Sequence, residues 1–354
     1  MNVLLISAKA EHPNGGIAIW TEHYLNACGC ESNLSCDLVN VAMTGKRAAC
    51  ATAKRSVKDE IARTRGIMKQ LKRCLNKCSY DVAHLNTSVG TYGIIRDYLQ
   101  ARKIAKKGIP VVLHFHCDIP SWVTNCITAH FLKRILKISK MNLVLCENSR
   151  RYLLDRFSTE SVKIPNFVDG KLISTPRTVR PRIQNVLFVG RVSTEKGAGE
   201  IYKIARCFPE IVFSMVGEVS SEAASWECPD NVKLLGVKDH SQVLSDLDDA
   251  DLFLFPSHTE GFSLALAEAM ARGLPVIATN VGANEEMLEN QGGIVVPLGD
   301  VEAMKVALEQ MKASETRQKM SDWNRNKVRE QYETSQVIRF LMQCYKNVMR
   351  KEIK

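Results

Sequence analysis

The chain has 354 residues, of which 45% are hydrophobic, and a formal net charge of +10. This length favours two domains of ordinary size, and no run of 18 apolar residues could form a transmembrane helix. The start, MNVLLISAKA, lacks a basic segment ahead of its short apolar run, so we predict a first β-strand and not a signal peptide. Twelve scattered cysteines without such a signal favour thiols in a reducing cytoplasm.

The basic excess lies entirely in the first half of the chain. Residues 1–170 hold 25 Lys and Arg against 13 Asp and Glu, whereas residues 171–354 hold 23 against 25. Basic stretches at 46–78, 102–107 and 131–140 are either ordinary helices with solvated faces or a face that attracts an anionic membrane surface. Nucleic acid is not expected, because aromatic residues do not alternate with the basic ones. We expect a cytoplasmic protein, with peripheral association at the inner face of the cell membrane as an open alternative.

Alternating strands and helices predict a parallel sheet in the first half. The strand Asn2–Ser7 is followed by Gly15 and Gly16, a pair that either makes a plain tight turn or lets the backbone approach a phosphate. The pattern is not GxGxxG, so the dinucleotide fingerprint is absent. The predicted strand Pro110–His116 ends in His116, at the edge where open α/β sheets bind ligands. A core position for His116 and a metal pair with His114 are the alternatives, the second less favoured.

The second half begins after a change in pattern. Residues 171–184 hold two prolines and no sustained periodicity, which predicts an interdomain linker. A strand at Asn185–Val189 follows, and then Arg191 and Lys196. Two cations at one strand end can bind a phosphate, Arg in a bidentate manner and Lys as a point charge, or they can be solvated loop charges.

The most informative stretch is Leu252–Asn290, whose strand, turn, helix and strand predict one βαβ unit. Glu260 precedes the helix and Glu268 lies within it. Eight positions at about 1.5 Å rise separate them by up to about 12 Å, whereas the two carboxylates of a retaining glycosidase lie about 5–5.5 Å apart. The spacing suits two acceptors at different ends of a long polar ligand, or two unrelated surface glutamates. An anion is favoured where this helix begins, near the N–H groups of Gly261, Phe262 and Ser263.

Four motifs occur once each along the second half, in this order: NVLFVGRVSTEKG, NVKLLGV, HTEGFSLALAEAMARGLPVIATNVGANEEM and GGIVVPLGD. In this order and spacing they resemble the family 4 glycosyltransferases, and the first half is similar but looser, through GG, HFH and KIPNFVD. The resemblance implies an α/β GT-B fold of two Rossmann-like domains whose parallel sheets face a central cleft. We assign residues 1–170 to an acceptor-side domain, 185–334 to a donor-binding domain, and 335–354 to a helix crossing back to the first domain.

The resemblance also implies a role for each matching residue. Arg191 and Lys196 would bind the donor diphosphate, Glu268 the ribose hydroxyls and Glu260 the donor sugar. His116 would lie on the acceptor side, near the reacting centre. We take His116, Glu260, Arg191 and Lys196 as catalytic candidates. Further donor contacts would come from Gly15, Gly16, Val237, Gly261, Phe262 and Ser263.

The implied enzyme is a retaining hexosyltransferase that moves a sugar from a UDP- or GDP-sugar to a glycan or lipid-linked acceptor, in surface polysaccharide or glycolipid biosynthesis. No cofactor or metal is expected if Arg191 and Lys196 neutralise the diphosphate, and the D-x-D patterns at 246–251 are interpreted as a helix–strand connection. Phe167, Ala283 and Asn284 depart from the family pattern and bear on acceptor fit or sugar choice. The alternatives are a catalytically silent GT-B-like subunit that supports a partner glycosyltransferase, and a GT-B nucleotide-sugar epimerase.

Overall fold

A computed structural model describes residues 1–9, 16–30, 34–43, 56–87 and 89–350 of the chain. The chain divides into two compact units: unit 1, Met1–Phe167 together with the chain from Thr334 onward, and unit 2, Val168–Glu333. Each unit is a parallel sheet of six strands covered by helices, which confirms the predicted α/β class. None of the helices in these ranges has the length and hydropathy needed to cross a membrane.

Twelve strands are present in the described residues. They are β1 (Asn2–Ser7), β2 (Ser35–Asn40), β3 (Val82–Thr87), β4 (Val111–Phe115), β5 (Met141–Val144), β6 (Val162–Lys163), β7 (Asn185–Val189), β8 (Val212–Val216), β9 (Val232–Gly236), β10 (Leu252–Phe255), β11 (Val276–Thr279) and β12 (Gly293–Val296). The strand order is β2-β1-β3-β4-β5-β6 in unit 1 and β12-β11-β10-β7-β8-β9 in unit 2.

The helices of the described residues are α1 (Gly16–Cys30), α2 (Val57–Lys77), α3 (Thr91–Ala105), α4 (Ile119–Trp122), α5 (Cys126–Leu136), α6 (Glu147–Phe157), α7 (Ala198–Ala205), α8 (His240–Asp249), α9 (Leu264–Ala271), α10 (Asn284–Leu288), α11 (Val301–Gln310), α12 (Ser314–Lys327) and α13 (Thr334–Arg350). A π-helical turn, Val328–Tyr332, continues α12.

Unit 1 has an apolar core on each face of its sheet. Helices α2, α3, α5 and α6 bury residues such as Leu71, Ile94 and Leu132 against one face. Helices α1 and α13 cover the other face, with Trp20 and Tyr345 in its core. Strands β3 and β4 are buried along their whole length, as is typical of parallel strands covered on both sides. The C-terminal helix α13 therefore belongs to unit 1, as predicted.

In unit 2, β7 and β10 are paired neighbours at the centre of the sheet. Because parallel strands end at the same edge, the segments that follow Val189 and Phe255 start side by side. These segments contain Arg191, Lys196 and Glu260. The carboxyl edge of this sheet is therefore where the predicted donor-binding residues converge.

The segment 171–184, predicted as a linker, is assigned by the structure to unit 2. The Arg177 guanidinium donates hydrogen bonds to backbone carbonyls where α8 ends, among them Ala250 O at 2.6 Å. A helix end leaves several carbonyl oxygens without intrahelical partners, and an arginine can satisfy them. Ser174 N donates a backbone hydrogen bond to Ala271 O at 3.0 Å, which also ties this segment to unit 2. The unit boundaries thus fall at Phe167/Val168 and Glu333/Thr334.

Candidate active site

A partly buried ion pair lies beyond the carboxyl ends of β7 and β10. Lys196 Nζ is 2.5 Å from Glu260 Oε1, and the same oxygen accepts a 2.8 Å hydrogen bond from Ser257 Oγ. The Glu260 side chain is 12% exposed and that of Lys196 is 32% exposed. A charge-assisted bond in a partly desolvated place is stronger than one in bulk water. The structure therefore holds two predicted donor-binding groups against each other.

Two glycines allow the backbone conformation of the loops around this pair. Gly197 has φ +74°, and a Cβ there would lie 2.1 Å from the carbonyl oxygen of Pro256. Gly282 has φ +56°, and a Cβ there would lie 2.4 Å from the carbonyl oxygen of Glu260. A side chain at either position would be strained and would displace the loop that carries Lys196 or Glu260.

Glu268 lies on α9 and contacts a residue that the sequence analysis missed. His240 Nε2 is 3.2 Å from Glu268 Oε1, with side chains 56% and 19% exposed respectively. The hydrogen bond to Glu268 raises the pKa of His240 above its ordinary value. His240 is the first residue of α8, where the Asp239 and Gln242 side chains form a capping box. That D-x-x-Q pattern was the available signal for the helix start that places His240.

Arg191 pairs with a different glutamate from the one that binds Lys196. Its guanidinium is 3.3 Å from Glu218 Oε2, and both side chains are largely exposed. An exposed pair of this kind contributes little to stability, so a phosphate can replace Glu218 at small cost. Val237, also predicted as a donor contact, follows β9 and is exposed.

The segment Gly261–Ser263 uses its side chains for folding. Phe262 is buried and packs edge-on against Tyr332, with ring centroids 5.2 Å apart. Ser263 is the N-cap of α9, and its Oγ accepts from Leu266 N at 3.2 Å. The Phe262 side chain is thus used in packing and the Ser263 hydroxyl caps α9, and the predicted donor contacts of this stretch stay a prediction.

Three of the four acids in the D-x-D patterns are each paired with a different basic residue, Asp251 with Arg180. Asp246 pairs with Lys238 at 2.7 Å, and Asp248 pairs with Arg272. Asp251 is buried and accepts the backbone N–H of Asn185 at 3.0 Å. The described residues contain no group of three or more His, Cys, Asp or Glu side chains that could hold a metal ion.

In unit 1, His116 follows β4 within a cluster of aromatic rings. Its ring centroid lies 4.0 Å from that of His114 and 5.2 Å from that of Trp20. Neither ring nitrogen of His114 or His116 has a hydrogen-bond partner among the described residues. Burial, with a smaller contribution from His84, lowers the pKa of His116 to about 3. His116 is thus uncharged near neutral pH, and both of its nitrogens are unpaired within the described part of the chain.

A chain of hydrogen bonds runs beside this cluster and joins α13 to the first turn of α1. The final acceptor is a carbonyl, which cannot donate, so every hydroxyl and amide in the chain must point toward it. His84 therefore donates from Nε2 to Asn86 Oδ1 and accepts at Nδ1 from the Tyr345 hydroxyl, both at 2.8 Å. In order from donor to acceptor, the members are Tyr24, Tyr345, His84, Asn86, Ser7, Thr21 and the carbonyl of Ile17.

The remaining predicted residues of unit 1 lie close to this chain or outside the described residues. Gly16 is the exposed first residue of α1, with no atom within 4 Å of where a Cβ would be. Gly15 lies outside the described residues. Phe167, which departs from the family pattern, is buried with its ring centroid 5.5 Å from that of Trp20. It fills the space beside the ring that contacts His116.

Comparison with known proteins accounts for both halves of the chain. A family model described as "Glycosyl transferases group 1" matches residues 180–328, and one described as "Glycosyltransferase Family 4" matches residues 47–171. Together these matches cover more than half of the sequence. The chain belongs to the family 4 glycosyltransferases.

Curated relatives of this family 4 glycosyltransferase match it over part of their length. The amylovoran biosynthesis glycosyltransferase AmsK of Erwinia amylovora is 33% identical over 140 residues, 35% of this chain and 34% of that protein. The phosphatidyl-myo-inositol mannosyltransferase of Mycobacterium leprae is 27% identical over 212 residues, 56% of this chain and 57% of its own. The chain thus spans between a third and somewhat over half of the length of these relatives.

Solved structures match the family 4 glycosyltransferase over almost its whole length. Sucrose-phosphate synthase from Thermosynechococcus elongatus has a TM-score of 0.80 at 17% identity, covering 99% of both chains. Anabaena HepE in complex with UDP and glucose has a TM-score of 0.70 at 14% identity, covering 97% of this chain and 98% of its own. At such identities the likeness concerns the fold alone, and it confirms the predicted GT-B architecture.

Proposed function

We propose that this family 4 glycosyltransferase moves a hexose from a UDP- or GDP-sugar, with retention of anomeric configuration, to a glycan or lipid-linked acceptor. The observation that carries the proposal is the Lys196–Glu260 pair at the carboxyl edge of the unit 2 sheet. Surface polysaccharide or glycolipid assembly is supported by the names of the amylovoran and phosphatidyl-myo-inositol enzymes. A nucleotide-sugar donor is supported by HepE, which was solved with UDP and with UDP-glucose.

Charge development on the diphosphate explains why the pair is placed here. As the bond between the sugar C1 and the phosphate oxygen breaks, negative charge gathers on the leaving diphosphate. Lys196, already held by Glu260, can turn to that charge, and the N-terminus of α9 adds a favourable dipole. Arg191 can exchange Glu218 for a bidentate phosphate contact. These groups neutralise the charge on the leaving diphosphate, so we propose no metal ion for this role.

The two glutamates then act as acceptors at the two ends of the donor. Glu260, released from Lys196, accepts hydrogen bonds from hydroxyls of the donor sugar, and Glu268 accepts from the ribose hydroxyls. His240 already occupies one position on Glu268 Oε1. A carboxylate offers about four lone-pair sites, so the contact leaves room for the ribose.

His116 serves as a hydrogen-bond partner on the acceptor side and not as a general base. A base is effective when its pKa lies near the working pH, whereas that of His116 is lowered to about 3. The proton of the acceptor hydroxyl is then taken by the departing diphosphate oxygen, while the acceptor oxygen bonds to C1. We also propose that the basic first half of the chain attracts the enzyme to the anionic inner face of the cell membrane.

A donor panel tests this function. We expect one nucleotide sugar from a UDP and GDP panel to raise the melting temperature of the protein, and Glu268→Ala to abolish that shift. Glu302→Ala, on the exposed face of α11, is the matched control and should leave it intact. NMR of the product should show the anomeric configuration of the donor. Failure to bind any nucleotide or nucleotide sugar would overturn the proposal, and release of an epimerised sugar without acceptor would replace it.

A further inference from the structure

An apolar groove lies between the N-terminal halves of α2 and α3, on the outside of unit 1. Its volume is about 240 Å³. Four large apolar side chains in its lining, those of Val57, Ile61, Tyr92 and Leu99, are between 39% and 57% exposed. The same two helices bury other apolar residues in the core beneath, such as Leu71 and Ile94. The groove is therefore an additional apolar surface and not the core-facing stripe of an amphipathic helix.

The exposed apolar surface continues along the carboxyl edge of the sheet. Thr91, at the start of α3, is bound to the start of α5 through Asn125 Nδ2 at 3.1 Å and Thr128 Oγ1 at 3.0 Å. Ile127 lies between these two partners and is exposed, and so is Trp122 on α4. We define the apolar rim as Val57, Ile61, Tyr92, Leu99, Trp122 and Ile127.

Cations flank the apolar rim. Helix α2 carries seven Lys and Arg against two acids, Asp59 and Glu60, and Glu60 pairs with Arg63. Arg65 and Arg96 line the groove itself. Arg65 is exposed, and no described carboxylate forms an ion pair with it. Arg96 is paired with Asp97 at 3.3 Å, so the available positive charge comes from Arg65 and from the excess of basic residues on α2. An apolar surface beside such an excess is complementary to a lipid that combines a hydrocarbon chain with an anionic headgroup.

This charge distribution selects among possible occupants. A second copy of the chain would bring the same positive charges together across a two-fold interface, which is unfavourable. Nucleic acid would use the cations but not the aliphatic groove. An anionic bilayer uses both, because its headgroups meet Arg65 and the other basic residues of α2 while its acyl chains cover Ile61 and Leu99.

We propose that the apolar groove seats an acyl chain of an anionic phospholipid, so that unit 1 docks on a membrane by inserting the apolar rim. The inference rests on the membrane attraction included in the proposed function and deepens it: charge brings the protein to the surface, and the groove holds it there. If the residues of the apolar rim did not insert, the protein would bind the membrane through charge alone, and salt would abolish that binding.

Vesicle sedimentation of the full chain tests the groove. We expect binding to phosphatidylglycerol–phosphatidylcholine vesicles, with a part that persists in high salt. The double variant Ile61→Asn/Leu99→Asn, which leaves the charge unchanged, should bind at least tenfold more weakly. Val306→Asn is the matched control, since Val306 is 57% exposed on α11 of unit 2, and it should bind like the wild type. Acyl chains brominated near the headgroup should quench Trp122 fluorescence, and Trp122→Phe should remove that quenching.

The outcomes separate this inference from the function it rests on. If the wild type does not bind anionic vesicles at low salt, the proposed membrane attraction is wrong, and so is the groove inference. If the wild type binds but the double variant binds equally well, or salt removes all binding, charge alone acts and the groove inference is overturned. Equal binding to vesicles of pure phosphatidylcholine would overturn the proposal that the lipid needs an anionic headgroup. The donor-induced thermal shift of the double variant shows that it is folded and that donor binding is a separate property.

Discussion

Unit 1 and unit 2 share a six-stranded parallel sheet, but the two carboxyl edges carry opposite kinds of chemistry. In unit 2 the edge holds charged groups in pairs, Lys196 with Glu260 and His240 with Glu268. In unit 1 the edge holds His116, and the buried rings of His84 and His114 lie within β3 and β4 beneath it. Burial lowers the pKa values of all three histidines. Exchangeable ion pairs suit a donor that carries a diphosphate, whereas neutral nitrogens suit an acceptor hydroxyl.

The difference also concerns how each edge is stabilised. The ion pairs of unit 2 lie partly in solvent and can be replaced by ligand groups. The polar groups of unit 1 form a buried chain in which each bond depends on the next. Substitutions in unit 2 should therefore reduce activity more than stability, and those in unit 1 should do the reverse.

The largest expected effect is on catalysis by Lys196→Ala. Removing one positioned group that stabilises developing negative charge typically costs about 10²–10³ in kcat, and we expect a loss of that size with little change in melting temperature. The control is Lys238→Ala, which breaks another Lys–carboxylate pair in unit 2, with Asp246. Steady-state transfer assays on both variants make the comparison. Equal activity of Lys196→Ala and Lys238→Ala would remove Lys196 from the donor site.

The next effect is acid destabilisation of unit 1. The pKa of His84 is lowered to about 4 by burial, whereas an unfolded histidine titrates near about 6.5. Between these values the unfolded chain binds a proton that the folded chain does not, so stability falls as pH falls from about 6.5 to 4. A depression of this size corresponds to about 3 kcal/mol for His84 alone. Protection factors for hydrogen exchange in β3 and β4, which correct for the slower intrinsic exchange at lower pH, should therefore be smaller at pH 5 than at pH 7.

His114→Leu sharpens this prediction. Both ring nitrogens of His114 are without a hydrogen-bond partner among the described residues, so leucine leaves no partner unpaired. Burial, then the neighbouring His116 and His84, holds the pKa of His114 well below its usual range. We expect the variant to lose less stability than the wild type on acidification, by urea unfolding at each pH. Parallel pH curves for the two proteins would mean that His114 is solvated in the fold.

Much of the sheet could be predicted from sequence, and the reason appears in the strands themselves. Strands β1 and β7 have the predicted bounds, because apolar runs flanked by polar or glycine residues define them. Strand β2, with sequence SCDLVN, was missed because it is an edge strand with half-exposed polar residues and lacks that run.

The contacts of the site were not predictable in the same way. Glu260 and Glu268 were identified by spacing within one βαβ unit, but their partners come from elsewhere in the sequence. Lys196 is 64 residues from Glu260, and Tyr345 is 261 residues from His84. Local patterns place a residue at a strand end or a helix start, whereas sheet order decides which ends are neighbours.

The hydrogen-bond chain of unit 1 predicts a graded effect of two similar substitutions. Tyr345→Phe removes a group in the middle, which leaves His84 Nδ1 without its donor and Tyr24 without its acceptor. An unsatisfied buried polar group costs about 1–3 kcal/mol. Tyr24→Phe removes only the terminal donor, so its cost should be smaller. Urea unfolding at pH 7 measures both, and a larger cost for Tyr24→Phe would contradict the position of Tyr24 at the end of the chain.

The smallest expected effect concerns His240 in unit 2. Its pKa is raised by the hydrogen bond to Glu268, so the pair stabilises the fold below about pH 6.5 and loses that contribution as pH rises through the raised value. His240→Gln keeps a hydrogen-bond donor but cannot titrate. The wild type should therefore have its largest advantage in melting temperature at pH 6 and lose it by pH 9. Because His240 is more than half exposed, the difference should be small and should shrink further in high salt. A melting-temperature difference that stays constant from pH 6 to pH 9 would show that His240 and Glu268 are not coupled, and would leave Glu268 to be oriented by α9 alone.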